Sequence, residues 1–192
     1  MKNTKTMSTQ TLVMSAVLTA LVVILQYMGT FVKFGPFAIS LVLIPIVIGT
    51  ATCGKIIGAW LGFVFGFVVL ISGDAAPFMV VNAPGTILTV LAKGTLCGYL
   101  SGLAFESVIK LLKGNTYLST IIAAIICPIV NTGIFVIGCL LFFMPAISTW
   151  ANGTNAIIYI FVGMIGLNFL VELAVNIVFS PIIVRILKAI KK

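Results

Sequence analysis

The chain has 192 residues, of which 61% are hydrophobic and 7% are charged, and its net charge is +8. So large an apolar excess excludes an ordinary soluble domain, whose exterior must be wetted, and it is typical of a protein solvated by lipid. With three acidic residues and no histidine, the chain lacks the groups on which most acid–base catalysis depends.

The basic residues and the cysteines do not indicate a nucleic-acid, metal or disulfide site. The cationic side chains are scattered through short hydrophilic breaks between apolar segments, as lipid headgroups favour. No cysteine pair has CxxC spacing, and we interpret the cysteines as small core residues: Cys53, Cys97, Cys127 and Cys139. Catalytic and phosphate-loop motifs are also absent from the sequence, so we predict no catalytic residue, metal ligand or nucleotide site.

The first apolar segment follows a short basic tail. Lys2 and Lys5 resemble the start of a secretory signal, but the apolar run continues to about Val32, which is too long for one, so we predict a retained membrane helix. Ala16 and Ala20 lie four positions apart and share one face of this helix. Their flat notch fits either internal packing or contact with a partner, and the spacing alone favours internal packing.

Six apolar segments are long enough, or nearly so, to cross about 30 Å of hydrocarbon as helices. We therefore predict an all-α membrane protein in which residues 1–192 form a single six-helix domain. The predicted spans are about 9–32, 37–53, 55–72, 86–112, 117–144 and 156–189.

The basic residues indicate how these spans are oriented. Six spans place both termini on one side, and Lys33 is the single basic residue of the opposite side, while Lys93 lies within a span. By the positive-inside rule, both termini are predicted to be cytoplasmic. The basic residues on the predicted cytoplasmic side are Lys2, Lys5, Lys55, Lys110, Lys113, Arg185, Lys188, Lys191 and Lys192.

The outer loops then cover about 33–36, 73–85 and 145–155. Their proline and glycine residues fix turns, while asparagine and tryptophan offer polar and aromatic contacts. These loops are either simple connections or the mouth of a small-molecule site that opens outward, and the sequence leaves both open. The loop residues that we predict to contact a ligand are Asn82, Trp150 and Asn155.

Two spans carry glycine at every fourth position. In lipid, small residues allow helix backbones to approach closely, so this spacing predicts helix–helix seams. The glycines concerned are Gly58, Gly62 and Gly66 in the third span and Gly94, Gly98 and Gly102 in the fourth.

Lys93 is the most informative single residue. It lies about seven residues into the fourth span, or ~10 Å below the outer surface. A cation at that depth is costly and by default indicates function, although its long stem could also extend outward to water. We predict that Lys93 binds an anionic group such as a carboxylate.

Asn168, Glu172 and Asn176 form a polar stripe on one face of the sixth span. Such a stripe must face protein or water, not lipid. If the span starts near residue 156, Glu172 lies ~24 Å down, too far below Lys93 for a direct pair. We therefore predict Asn168 as a ligand contact, and Glu172 and Asn176 as structural.

The segment "CPIVNTG" interrupts the fifth span. Pro128 removes a backbone hydrogen bond and predicts a kink. Asn131 lies at the same depth, where it either lines a cavity shaped by the kink or bonds to the carbonyls that Pro128 leaves free. The two roles are compatible, and we include Asn131 among the predicted ligand contacts.

Several stretches together resemble the substrate-binding S component of the energy-coupling factor (ECF) transporters, bacterial importers of vitamins and related nutrients. They are "SAVLTAL", "GPFAISLVLIPIVIGTATCGKIIGAWLGF", "LTVLAKGTLCGYLSG", "PIVNTGIF" and "NFLVELAVNIVFSPIIVRIL". The resemblance implies a protein of the bacterial cytoplasmic membrane that binds its nutrient on the outer side. It also implies that Ala16 and Ala20 dock against a membrane scaffold, the T component. Two ATPase subunits drive that scaffold, so no cofactor is expected in this chain.

The nutrient is less sharply indicated. The chain is nearest the group that contains pantothenate and riboflavin binders, but riboflavin-binding relatives usually have an acidic "DxSD"-like stretch where this chain has "AISLVLIP". Lys93 suits an anionic vitamin, so pantothenate is our prediction. The alternatives are an S component for riboflavin or another nutrient, and a self-sufficient permease or channel. An intramembrane enzyme is disfavoured, because Asp74 and Glu106 fall on opposite sides of the predicted membrane.

Overall fold

The computed structural model describes residues 8–29, 33–34, 37–38 and 41–190, and these residues are almost entirely helical. Two π-helical segments, Cys139–Phe143 and Tyr159–Ile165, join α6 to α7 and α8 to α9. In chain order the α-helices are α1 (Thr9–Gly29), α2 (Leu43–Cys53), α3 (Lys55–Ile71), α4 (Ala76–Val81), α5 (Ala83–Leu111), α6 (Thr116–Gly138), α7 (Met144–Trp150), α8 (Ala156–Ile158) and α9 (Gly166–Ile190).

Four helical stretches are long and apolar enough to cross a membrane: Thr9–Gly29, Ala83–Leu111, Thr116–Trp150 and Ala156–Ala189. Helices α2 and α3 are apolar but shorter, and the 11 residues of α2 rise only about 16 Å. The all-helical, multi-pass class of the prediction is therefore confirmed. Six complete crossings and cytoplasmic termini stay predictions.

The predicted start of the second span at residue 37 is wrong. Helix α2 begins at Leu43, and an antiparallel pair of two-residue strands precedes it, β1 (Lys33–Phe34) with β2 (Phe37–Ala38). A short apolar run fits a strand as well as the first turn of a buried helix, so hydrophobicity alone could not place this boundary. The predicted loop residues 35–36 and the terminal lysines 2, 5, 191 and 192 lie outside the described residues.

The predicted outer loops are shorter than expected, because helices occupy much of them. The loop predicted at 73–85 contains α4 and the start of α5, and the loop predicted at 145–155 is helical as far as Trp150. Prolines at the first turns of these helices gave the loop signal: Pro77, Pro84 and Pro145. Proline is accepted in a first turn, where its missing N–H would lack a helical partner anyway.

Helix α6 is continuous through Pro128 and ends at Gly138. The irregular winding comes later, in the π segment Cys139–Phe143. A π turn absorbs one extra residue, and such turns are frequent at functional sites.

Helix α5 lies at the centre of the bundle, with α3 on one side and α6 on the other. The two glycine motifs face each other along an antiparallel α3–α5 seam, in which Gly62 meets Gly94 and Gly58 meets Gly98. A Cβ atom on Gly62 or Gly94 would collide with the carbonyl oxygen of the other. The prediction of helix–helix seams is confirmed, and the two motifs form one seam together.

The buried apolar side chains form two clusters. The main core centres on α2, α3 and α5, and it includes Leu43, Leu61 and Phe65. The second cluster joins α4 to the two π segments through Phe78, Phe143 and further side chains. At the end of the bundle away from this second cluster, Lys55 Nζ and Glu106 Oε2 form an ion pair of 2.8 Å that links α3 to α5.

Candidate functional site

A cavity of about 110 Å³ lies between the main core and the second apolar cluster. Its walls come from the C-terminal halves of α1 and α3, from the first half of α5, and from the facing parts of α6 and α9. It therefore lies at the end of the bundle away from the Lys55–Glu106 ion pair. We call this the cavity end.

Lys93 is the cation of the cavity wall. Its Nζ atom lies 5.6 Å from the centroid of the Phe65 ring and 5.5 Å from that of Phe135. Both ring faces attract a cation, so they hold the ammonium group in place without neutralising it. Within the described part of the chain, the ion pair that the structure shows joins Lys55 to Glu106 and does not involve Lys93.

Two asparagines supply unpaired acceptors. Asn131 on α6 is 4% exposed and Asn168 on α9 is 9% exposed, and the Oδ1 atom of each has no hydrogen-bond partner. Both line the cavity. Asn176 Oδ1 is also buried without a partner although Asn176 does not line the cavity, so an unpaired acceptor alone does not mark a ligand contact.

The two carboxylates of the cavity are already engaged. Asp74 Oδ2 accepts a hydrogen bond from Gln26 Nε2 at 2.9 Å and another from Ser72 Oγ at 3.3 Å. Glu172 lines the same wall and is not free either. Lys93 and Glu172 thus share one cavity, which the depth count from residue 156 did not anticipate.

The depth count placed Glu172 too far below Lys93 for a direct pair, and within the described residues the structure shows no ion pair between the two. Both side chains nevertheless line the cavity, whose wall also includes Met164 and Ile165 of the π segment that precedes α9. Asn168 and Glu172 reach the cavity, while Asn176 is buried away from it and donates from Nδ2 to the Glu172 carbonyl at 2.8 Å.

The remaining wall is largely aromatic. Phe78 contacts Phe135, Phe143 and Trp150 edge-on, with ring centroids 5.7, 4.9 and 5.5 Å apart respectively. The phenylalanines that line the cavity are Phe65, Phe78, Phe135, Phe143 and Phe169. Such a surface suits the apolar part of a small organic molecule.

Three of the six predicted ligand contacts line the cavity: Lys93, Asn131 and Asn168. The other three have structural positions. Asn82 caps α5 by accepting from Gly85 N at 2.9 Å, and Asn155 caps α8 by accepting from Ile157 N at 2.9 Å. Trp150 packs on Phe78 behind the cavity wall.

Sequence analysis missed several polar residues of the cavity: Gln26, Asp74, Thr86, Thr89 and Glu172. Asp74 was assigned to a loop, although an acid beside a span can fold back into it. Gln26, within the apolar first span, was the clearest overlooked signal, because a polar amide in a membrane helix needs a protein or water partner.

Ala16 and Ala20 lie on the exposed side of α1. The buried side of that helix carries Ser15, Leu18 and Val22 instead. Internal packing, which spacing alone favoured, therefore does not explain the alanine pair.

No group of three or more potential metal ligands occurs among the residues that the structure describes. These helices and the cavity define a membrane-embedded solute-binding protein. Its exterior is apolar, and a small cavity near one end is lined by polar and aromatic side chains.

The comparison with protein families narrows this class. The family model described as "ECF transporter, substrate-specific component" matches residues 10–184, and the chain belongs to this family. It is thus the substrate-binding component of a transporter, and such components work with T and ATPase modules. No curated protein and no solved structure matches the chain.

Proposed function

We propose that this protein is the high-affinity binding subunit of an ATP-driven ECF importer for a vitamin or related micronutrient in the bacterial cytoplasmic membrane. The cavity carries the proposal, because it gathers a lysine held between two phenylalanine rings and several polar side chains inside a largely apolar bundle. Charged and polar groups are costly inside a membrane protein, so their presence there indicates a functional site.

Pantothenate is the substrate that the cavity supports best. Its carboxylate would meet Lys93, which shares the cavity with Asp74 and Glu172 but forms no ion pair with either among the described residues. Its geminal methyl groups would pack against the phenylalanine wall. At about 10–15 Å³ for each water-sized group, the cavity holds roughly 7–11 such groups. That space is far too small for a three-ring flavin, and pantothenate, which has more non-hydrogen atoms than this, would require the cavity walls to move apart on binding.

The cavity end is proposed to face outward. Lys55, Lys110, Lys113, Arg185 and Lys188 all belong to the opposite end of the bundle or to its last turns, where the positive-inside rule favours the cytoplasm. Nutrient would then enter from the extracytoplasmic side.

The exposed alanine face of α1 is proposed to dock on the T component. Ala16 and Ala20 leave a shallow surface on a helix whose opposite side is committed to the core. Small residues allow another helix to approach closely in lipid. The ATP that drives transport would be bound by the two ATPase subunits, and this chain would carry no cofactor.

One observation favours a second candidate. Among the described residues, the cavity is lined by two carboxylates and one lysine, and this charge balance would also suit a nutrient that carries an amine. Binding of a cationic vitamin such as thiamine, in preference to pantothenate, would support that candidate.

Titration of the purified protein with pantothenate in detergent tests the proposal directly. We expect Lys93→Ala to weaken binding by more than tenfold, or about 1.4 kcal/mol. Lys110→Ala is the matched control, since it removes a cation at the other end of α5, and it should leave the affinity unchanged. An unchanged dissociation constant in Lys93→Ala would contradict a ligand contact by Lys93 and leave it a structural residue of the cavity wall.

Reconstitution separates the ECF mechanism from a self-sufficient permease. The chain alone in liposomes should bind nutrient without moving it, and uptake should appear when the T and ATPase components are added. Full-rate uptake by the chain alone would contradict the proposal.

A further inference from the structure

Two cysteines that the cavity does not use face each other between α5 and α6. Ser101 Oγ on α5 donates to the Ala123 carbonyl oxygen on α6 at 3.0 Å, and this bond fixes the register of the two antiparallel helices. One helical turn nearer the cavity end, the same register places Cys97 of α5 opposite Cys127 of α6. The two thiol groups are close enough to interact directly. Both side chains are fully buried, and both cysteines are free.

The two helices approach each other closely at this level. A serine side chain is short, so its direct bond to the backbone of the next helix requires a small separation between the helices. Ala123 and Ala124, which are also small, are fully buried in the same region of α6. A disulfide needs Cα atoms about 4.4–6.8 Å apart, a separation that only closely packed helices offer.

The thiol pair lies one turn beyond the cavity on the same two helices. Lys93 of α5 and Asn131 of α6 each stand four residues from the cysteine of their own helix, and both line the cavity. A bond between the cysteines would therefore tie the α6 wall of the cavity to α5. Because the glycine seam holds α5 against α3, the α6 wall could then no longer move outward.

We infer that Cys97 and Cys127 form a buried dithiol site that a small apolar two-electron oxidant converts to a disulfide between α5 and α6. In this step both S–H bonds break, one S–S bond forms, two protons are released, and the oxidant takes up two electrons. Molecular iodine, a small apolar oxidant of this class, becomes two iodide ions. The disulfide holds the cavity walls at their present separation. Resting on the proposed function, pantothenate then binds more weakly, because it needs these walls to move apart.

Treatment of the purified wild-type protein in detergent with equimolar iodine tests the site directly. We expect peptide mapping to find a disulfide between the peptides that contain Cys97 and Cys127. Because this bond closes a loop over residues 97–127, it should raise the apparent Tm by at least about 5 °C. Reduction with dithiothreitol should reverse both changes.

Variants assign these changes to the thiol pair. Cys127→Ala keeps Cys97 but should form no disulfide and should show no increase in Tm with iodine. Cys53→Ala is the matched control, because Cys53 is a more exposed cysteine at the end of α2, and it should behave like the wild type. If iodine leaves both thiols of the pair free in the wild type, or joins either of them to another cysteine, the inference is overturned.

Binding measurements separate the inference from the proposed function. We expect the oxidised wild-type protein to bind pantothenate at least tenfold more weakly than the reduced protein. Equal affinities would overturn the restraint on the cavity walls. If the reduced protein does not bind pantothenate, the proposed substrate is wrong, whereas the mapped disulfide and the Tm still decide whether the dithiol site exists.

Discussion

The α3–α5 seam allows a quantitative test of the fold. An alanine Cβ at Gly62 would collide with the Gly94 carbonyl oxygen and lie 2.7 Å from its carbon and 3.3 Å from Thr95 N. These are backbone atoms that cannot rotate aside, so the two helices would have to separate. Overpacking of this kind costs about 1–3 kcal/mol. For a chain of this length, each kcal/mol corresponds to about 2–4 °C, so Gly62→Ala should lower the apparent Tm by about 2–12 °C.

The measurement is thermal unfolding of the purified protein in detergent. Gly133→Ala is the matched control, because this glycine is also helical but a Cβ there meets nothing within 4 Å. Alanine favours a helix over glycine by up to about 1 kcal/mol, so the control should leave the Tm unchanged or raise it. If Gly62→Ala behaved like Gly133→Ala, the close approach of the two backbones would be refuted.

Two further predictions concern the surfaces of the bundle. Ala16→Leu and Ala20→Leu should keep nutrient affinity in detergent but abolish uptake by the assembled transporter. Val178→Leu, at a 69% exposed position on α9, is the control and should change neither. Loss of binding in the alanine variants would contradict a docking role. Glu106→Gln breaks the 2.8 Å ion pair with Lys55. Because the Glu106 side chain is 35% exposed and that of Lys55 is 31% exposed, we expect a smaller Tm decrease than for Gly62→Ala. High salt should reduce this decrease further, because it screens the ion pair. A decrease as large as that of Gly62→Ala would show that this ion pair is not the minor contribution that its exposure indicates.

Features of the fold that depend on local spacing could be predicted from the sequence. The glycine seam follows from a four-residue repeat, and long apolar runs locate most of the helices. The start of α2 and the helices within the outer loops could not be predicted, because an apolar strand and an apolar helix have similar composition. Proline also marks a helix start as readily as a loop, as Pro77 and Pro145 show.

Residues of the cavity were predictable when their chemistry conflicted with lipid. Lys93, Asn131 and Asn168 were found for that reason. Asn82 and Asn155 cap helices in the structure, as an asparagine just before a helix typically does, and their contact with a ligand stays a prediction. The shared position of Lys93 and Glu172 depends on how far each helix projects beyond the next, which a residue count along straight helices does not supply.

The glycine seam also affects how the cavity can adapt. Lys93 directly precedes Gly94, whose backbone packs against that of Gly62. Because of this contact, Lys93 cannot shift its position unless α3 and α5 separate. The opposite wall adjoins two π-helical segments, where a surplus residue makes the winding easier to adjust. The α5 wall of the cavity is therefore fixed, whereas the wall formed by α6 and α9 can adjust. Substitutions on α6 and α9 would accordingly be the easiest way to refit this scaffold to a different nutrient.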